Sequence, residues 1–414
     1  MKLKLQVGKT NSSADDIITI SGSKSESNRL LILQKLYPEI VLKNLSNSDD
    51  TRLLLEALNS NKKTIDIHHA GTAMRFLTAY YATQEGKEVI ITGSSRMKER
   101  PIKVLVDALK SLSAEITYLE NEGFPPLKIT GKNLTKNNVS LDANISSQYI
   151  TALLLIAPKL KNGLTITLSK NITSQPYLDM TLVLLKEMEI TIITDKNTIS
   201  VKPLDAISQP KTFIIESDWS SASYFYSAIA LSKIGSQITL NSYKKNSLQG
   251  DSAIVKIYED FGVKTIFKEN SIQLTKTSDT YNLQPTTYNL INTPDIAQTI
   301  AVTCFGLGIS CSLTGLHTLV IKETNRLLAL KIELEKLGAQ VFITEDSIQI
   351  TGKFLSDNLN TKEIDTYNDH RMAMAFAPLS VLNPIIINQA EVVTKSYPNF
   401  WKDFKILGIQ NEEK

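Results

Sequence analysis

Cysteine, histidine and arginine are the scarce residues of this 414-residue chain. Cys304 and Cys311 are its only cysteines, too few for a disulfide framework or a thiolate metal site. Charge of one sign is also lacking: 45 basic residues face 42 acidic ones, a net +3 that does not mark a binder of nucleic acid or of a membrane surface. Long apolar runs are missing. The longest uncharged stretch, Ile296–Ile321, is interrupted by Gln298, Thr299, Gly306, Gly308, Ser310, Ser312, Gly315 and His317. A membrane span needs about 20 mostly apolar residues, so this stretch predicts a buried helix followed by a strand. The first residues alternate charged and apolar side chains, unlike a signal peptide, and a cytoplasmic protein is expected. With 42% apolar and 21% charged residues the chain is folded, and its length suits two to four domains.

Seven arginines stand among the 45 basic residues, at 29, 52, 75, 96, 100, 326 and 371, and four histidines at 68, 69, 317 and 370. In a lysine-rich chain an arginine is expected where a planar, two-pronged donor is needed. A second regularity is a weak repeat of helix end, small residue, strand, polar turn and strand. Its copies align on Ile116, Ile190, Thr265 and Val341, spaced by 74, 75 and 76 residues. Solenoid units are shorter, so the period predicts duplicated α/β subdomains.

The scarce residues gather in short segments. GSKSESNR from Gly22 combines small residues with Lys24 and Arg29 at a helix entry, suited to an anion and equally to an ordinary helix cap. AGTAMR from Ala70 is a second small-residue entry, preceded by His68 and His69. As adjacent residues those two diverge, so they do not make a zinc site. RMKERP from Arg96 is either a solvated charge run or, through Arg100, an anion contact. SSQY from Ser146 and SQPY from Ser174 offer hydroxyls, an amide and a phenol. IKETNR from Ile321 sets Lys322 and Arg326 four apart, predicted on one helical face with Glu323 beside them. NDHRMAM from Asn368 and Lys395 complete the set. Surface salt bridging would explain the last segments equally well. The joint inventory is cations, hydroxyls and at least two acids, Asp295 and Glu323, with no metal cage and no nucleophilic triad, which suits a cofactor-free reaction between small polyanions.

In this order, and with SDWSSASYF from Ser217, the segments resemble the enolpyruvyl transferase family over nearly the whole chain, specifically the branch that acts on shikimate 3-phosphate. The resemblance implies an α/β (α+β) fold of two similar domains, each of three βαβαββ repeats, in the inside-out α/β barrel of that family. Residues 1–22 with 217–414 would form one domain and 23–216 the other, the active site lying in the cleft between them. It also implies transfer of the enolpyruvyl group of phosphoenolpyruvate to the 5-hydroxyl of shikimate 3-phosphate, with release of phosphate, in the shikimate pathway.

By the same resemblance Lys24, Ser25, Arg29, Ser146, Ser147, Gln148, Ser174, Tyr177, Asp295 and Lys322 would hold shikimate 3-phosphate. Lys24, Gly71, Arg100, Gln148, Arg326, Arg371 and Lys395 would hold phosphoenolpyruvate. Asp295 is the implied base at the 5-hydroxyl and Glu323 the implied proton carrier at C3, with Lys24 sharing proton transfer. No metal, cofactor, nucleic acid or membrane is implied, and a monomer is the family expectation. The departures are His69 where Asn is usual, Phe76 where Pro is common, Asn325 for Asp, and Thr318 for an occasional Asn. Gly71 resembles the form sensitive to glyphosate, a competitor of phosphoenolpyruvate.

Two other readings are weighed. A sister enzyme acting on UDP-N-acetylglucosamine usually carries a cysteine in the loop before the Arg-Pro pair, whereas residues 94–101 here have no thiol. A non-catalytic anion-binding relative would not need Lys24, Asp295, Glu323 and Arg371 intact.

Overall fold

The computed structural model describes residues 1–8, 17–142, 147–169, 174–279, 285–354 and 361–414. They divide into two compact units, Met1–Ser21 with Glu216–Lys414 and Gly22–Ile215.

The repeat has a backbone cause. Helices Lys103–Ser111, Gln175–Glu187, Ile254–Glu259 and Arg326–Lys336 are each followed by a residue of positive φ: Ser113, Glu189, Gly262 and Gly338. In three of them the next amide turns back onto the helix. Ala114 N donates to Leu109 O, Ile190 N to Leu185 O and Ala339 N to Leu334 O, at 2.9, 3.1 and 2.9 Å. These bonds satisfy carbonyls at the helix end and redirect the chain into a strand. An antiparallel hairpin follows each helix, for example Gln340–Ile343 with Ile348–Thr351, in which buried Val341 faces Ile350. In the second copy Ile190 stands two residues ahead of its strand, Ile192–Asp195.

In the unit of Met1–Ser21 and Glu216–Lys414, each sheet joins a parallel pair to antiparallel strands. Ile17–Ile18 runs parallel to Gln237–Asn241, Thr286–Asn289 to Cys311–Thr314, and Lys362–Ile364 to Ile385–Asn388. In the first two sheets a local hairpin completes the set of four. In the third the two antiparallel strands are Lys2–Val7 and Ile409–Glu413, taken from opposite ends of the chain.

Unit Gly22–Ile215 has two such four-stranded sheets, while its third is only the parallel pair Ile40–Lys43 and Lys211–Ile214. After helix Asp49–Leu58 the chain runs through residues 59–63 directly into strand Thr64–Asp66, with no hairpin between. Four copies were therefore visible as a sequence repeat: one of the remaining sets has no hairpin, and the other assembles its own from distant segments.

The helices differ by position. Trp219–Leu231, Ala297–Leu307 and His370–Phe376 are buried almost all round, as are Gly71–Ala82 and Ser147–Ile156 in the other unit. A helix that is apolar on every side belongs in a core, and each fully buried aliphatic or aromatic side chain there contributes about 1.5–3 kcal/mol. Two pairs of inward hydroxyls join Trp219–Leu231 to Ala297–Leu307. Ser223 lies 3.0 Å from Thr299, and the Thr303 hydroxyl donates to Ser227 at 2.7 Å. These pairs join early residues to early and late to late, so Trp219–Leu231 and Ala297–Leu307 run in the same direction. The predicted helix and strand within Ile296–Ile321 are Ala297–Leu307 and Cys311–Thr314, and Cys304 and Cys311 are buried free thiols.

Candidate active site

In the unit of Met1–Ser21 and Glu216–Lys414, the starts of the buried helices carry the charged motifs. Asp295 lies in a short 3-10 turn, Pro294–Ile296, that leads into Ala297–Leu307. Asp369 caps helix His370–Phe376 by accepting from Arg371 N at 2.8 Å. Arg326 opens helix Arg326–Lys336 behind Asn325, whose side chain accepts from Leu328 N at 3.1 Å. Asn caps a helix as well as Asp does, so the departure at 325 keeps this function.

Arg326 is 1% exposed and serves three carboxylates. Its Nε donates to Asp369 Oδ2 at 2.7 Å, its Nη2 to Glu323 Oε2 at 2.8 Å and its Nη1 to Asp295 Oδ1 at 3.3 Å. Burial opposes the charge, but Asp369 and Glu323 outweigh it and hold the guanidinium's pKa above its ordinary value. Lys395 Nζ lies 2.6 Å from Glu323 Oε1. Arg371 Nη2 lies 3.0 Å from Asp295 Oδ2, and its Nη1 donates to the Asp295 carbonyl at 3.0 Å. Lys322 Nζ is 3.8 Å from Asp295 Oδ1. Four cations thus surround two partly exposed carboxylates, Asp295 and Glu323. The predicted helical face for Lys322 and Arg326 is corrected here. Residues 322–325 are not helical, because Asn325 caps a helix that begins only at Arg326, and the two cations meet at Asp295 instead.

In unit Gly22–Ile215, Lys24 begins helix Lys24–Leu36, capped by Ser23, and its Nζ is 3.4 Å from the buried Asp50. Arg29 is buried and bonded mainly to neutral groups: Thr181 Oγ1 at 2.8 Å, Ser25 O at 2.7 Å and Tyr177 O at 3.0 Å. Burial lowers its pKa to about 10 despite the influence of Tyr177 and Glu26. Its guanidinium also stands 5.9 Å from the ring centres of both Phe76 and Tyr177. Phe76 therefore packs as a wall for that cation.

Helix Gly71–Ala82 follows Ala70, which has no side chain able to cap it. The Arg100 guanidinium lies against Gly71. Around it, Arg75 donates to Gly71 O at 2.9 Å and to Pro101 O at 3.0 Å, and Tyr149 also donates to Pro101 O, at 2.7 Å. Gln148 Nε2 reaches Thr72 Oγ1 at 3.4 Å. Ser147 and Ser174 are buried, Ser174 in a left-handed conformation ahead of helix Gln175–Glu187, and Ser146 lies outside the described residues. His68 is exposed and the two adjacent histidine rings meet edge to face at 6.2 Å.

Sequence reasoning named Asp369, and Ser220 and Tyr224 within the segment SDWSSASYF, without giving them a role, and passed over Asp50 and Asp251. An acid directly before an apolar helix was the available signal for Asp369, and the segment SDWSSASYF for Ser220 and Tyr224; Asp50 and Asp251 show none, because their partners are distant in sequence. Among the described residues no helix is long and apolar enough to cross a membrane.

Comparison with known proteins identifies the frame. The profile of EPSP synthase (3-phosphoshikimate 1-carboxyvinyltransferase) matches residues 58–404. A 3-phosphoshikimate 1-carboxyvinyltransferase of Bacteroides fragilis is 44% identical over 395 residues, covering 95% of both chains. One from Haemophilus influenzae is 36% identical over 432 residues, covering 97% of this chain and 98% of the relative. The EPSP synthase structure of Acinetobacter baumannii superposes with a TM-score of 0.77 over 99% of this chain and 100% of its own, at 21% identity, and so shares the fold. With the profile spanning most of its length and the relatives nearly all of it, the chain belongs to the EPSP synthase (3-phosphoshikimate 1-carboxyvinyltransferase) family.

Proposed function

We propose that Arg326, Arg371 and Lys395, with Lys24, Gly71, Arg100 and Gln148, hold phosphoenolpyruvate in this chain, and that Asp295 and Glu323 move the protons of its reaction. The reaction is that of the family: the enolpyruvyl group of phosphoenolpyruvate passes to the 5-hydroxyl of shikimate 3-phosphate and phosphate is released, a step of aromatic amino acid biosynthesis. Lys24, Ser25, Arg29, Ser146, Ser147, Gln148, Ser174, Tyr177, Asp295 and Lys322 are assigned to shikimate 3-phosphate. The observation that carries this reading is the cage of Lys322, Arg326, Arg371 and Lys395 about Asp295 and Glu323.

The cage suits addition followed by elimination. C3 of phosphoenolpyruvate takes a proton, the 5-hydroxyl gives up its proton and adds to C2, and phosphate later leaves as C3 returns a proton. An arriving phosphate or carboxylate competes with Asp295 and Glu323 for the same cations. A carboxylate that loses its cation becomes more basic, so substrate binding itself readies the two acids for proton transfer. Fixing both substrates in attack geometry can contribute on the order of 7–11 kcal/mol. A cytoplasmic monomer is part of this reading: both substrates are phosphorylated, so a membrane would retain them, and one chain supplies every assigned group.

Phosphate release from phosphoenolpyruvate tests the assignment, with shikimate 3-phosphate and UDP-N-acetylglucosamine compared as acceptors. Release with shikimate 3-phosphate alone, reduced in Asp295→Ala by about 10²–10⁴-fold, is the expected result. Release with the sugar nucleotide would assign the sister activity, and an undiminished Asp295→Ala enzyme would remove Asp295 from the chemistry.

A further inference from the structure

Asp251 is a buried acid, 4% exposed, that the mechanism above leaves unused. It lies in the short turn Gly250–Ala253, after Gln249, whose side chain accepts from Trp219 N at 2.9 Å. Its Oδ2 accepts the hydroxyl hydrogen of Ser220, and its Oδ1 has no hydrogen-bond partner. A hydroxyl has one hydrogen to give. With that hydrogen committed to Asp251, the Ser220 oxygen can only accept towards the cage, and it accepts from Arg371 Nη2 at 3.4 Å. The same Nη2 lies 3.0 Å from Asp295 Oδ2, while Nη1 reaches the Asp295 carbonyl and, at 3.4 Å, the Tyr224 hydroxyl. A continuous line of contacts therefore runs from Asp251 through Ser220 and Arg371 to Asp295.

We infer that Asp251 is a positioning residue: through the Ser220 hydroxyl it holds the Arg371 guanidinium in the orientation from which it serves Asp295 and phosphoenolpyruvate. The inference rests on the assignment of Arg371 and Asp295 proposed above and adds the group that orients them. The electrostatics fit the geometry. Burial first, and the Asp295 charge second, push the Asp251 pKa up to about 7, against the opposing influence of Arg371 and the Ser220 hydrogen bond. Asp218 adds a further acidic influence. On helix Ile254–Glu259, packed beside this turn, Lys256 and Glu259 are exposed. Near neutrality Asp251 thus passes between a neutral acid and a carboxylate. The carboxylate grips the Ser220 hydrogen more strongly, which fixes the acceptor offered to Arg371.

The test is steady-state kinetics of the full-length enzyme across roughly pH 5.5–9, with Asp251→Asn, Ser220→Ala and the double variant, alongside thermal unfolding. Either single change should raise the KM for phosphoenolpyruvate about 5- to 10-fold, the scale of one lost hydrogen bond, with a smaller effect on kcat. The double variant should be no worse than Asp251→Asn, because both residues lie on one line of contacts. The parent enzyme should show an inflection in kcat/KM near pH 7 that Asp251→Asn lacks. Parental KM and pH profile in Asp251→Asn and Ser220→Ala would overturn the inference. If Asp251→Asn does not fold, Ser220→Ala decides alone, and an unchanged KM there overturns it. Arg371→Lys is the control for the underlying assignment: an unchanged KM for phosphoenolpyruvate in that variant would refute the assignment itself, whatever Asp251 does.

Discussion

The guanidinium of Arg100 lies directly against the α-carbon of Gly71: a Cβ built there would stand 2.9 Å from Arg100 Cζ and 3.0 Å from Nη2. Glycine is needed here for space, not for its backbone freedom, since Gly71 is not among the glycines of positive φ. The obstruction is the end of a flexible side chain, so Gly71→Ala should leave the fold intact and displace Arg100. The expected outcome is a KM for phosphoenolpyruvate raised roughly 10- to 100-fold, the scale of a lost charge-assisted contact, with weaker inhibition by glyphosate. Initial-rate kinetics with both ligands check it; an unchanged KM would remove Arg100 from the phosphoenolpyruvate site.

Arg326 reaches three acids, two through Nη groups and one through Nε. A lysine presents a single point charge and cannot match that fork. Arg326→Lys should therefore leave the fully buried Asp369 poorly paired and cost about 3–5 kcal/mol of stability. Urea unfolding measures the loss, and catalysis should fall with it because Glu323 and Asp295 lose their shared partner.

Asp251 gives the pH dependence of stability a definite sign. Its pKa is raised from 3.8 to about 7 in the folded chain, chiefly by burial. The folded state then holds a proton that the unfolded state has released, so this group's contribution is complete below about pH 4 and is lost as pH rises through 7. Asp251→Asn should flatten stability across that window, by at most about 1.4 kcal/mol per pH unit. Denaturant midpoints at a series of pH values provide the measurement, and an unaltered slope would contradict the assigned shift.

Gly22 stands where the chain enters unit Gly22–Ile215. A Cβ there would run into the carbonyl oxygen of Asn44 and stand 2.8 Å from Ile215 Cγ2. Unlike the Gly71 case, one obstruction is backbone, beside the parallel pair Ile40–Lys43 and Lys211–Ile214. Gly22→Ala should destabilise the protein by about 1–3 kcal/mol through overpacking, read as a lower thermal midpoint.

Much of this was legible in the sequence because it depends on local rules. Helix ends, hairpin alternation and the period near 75 come from residues close together, so four copies of the subdomain could be found. The arginine-poor composition drew attention to Arg100, Arg326 and Arg371, because a planar fork cannot be replaced by the lysines the chain otherwise prefers. The ordered motifs identified the family.

Tertiary structure alone decided the rest. The set built from Lys2–Val7 and Ile409–Glu413 pairs strands from opposite ends of the chain, which no local period can reveal. Lys322 and Arg326, four apart, are joined by the Asp295 carboxylate and not by helical spacing, because a cap at Asn325 starts the helix late. Asp251 carries no local signal; its influence comes from burial and from contact with Ser220, 31 residues away in the numbering, whose oxygen in turn accepts from Arg371, 120 residues from Asp251. Sequence determines which side chains are available and where helices begin. Folding decides which charges share a buried space, and at those distances the low dielectric of the interior sets their chemistry.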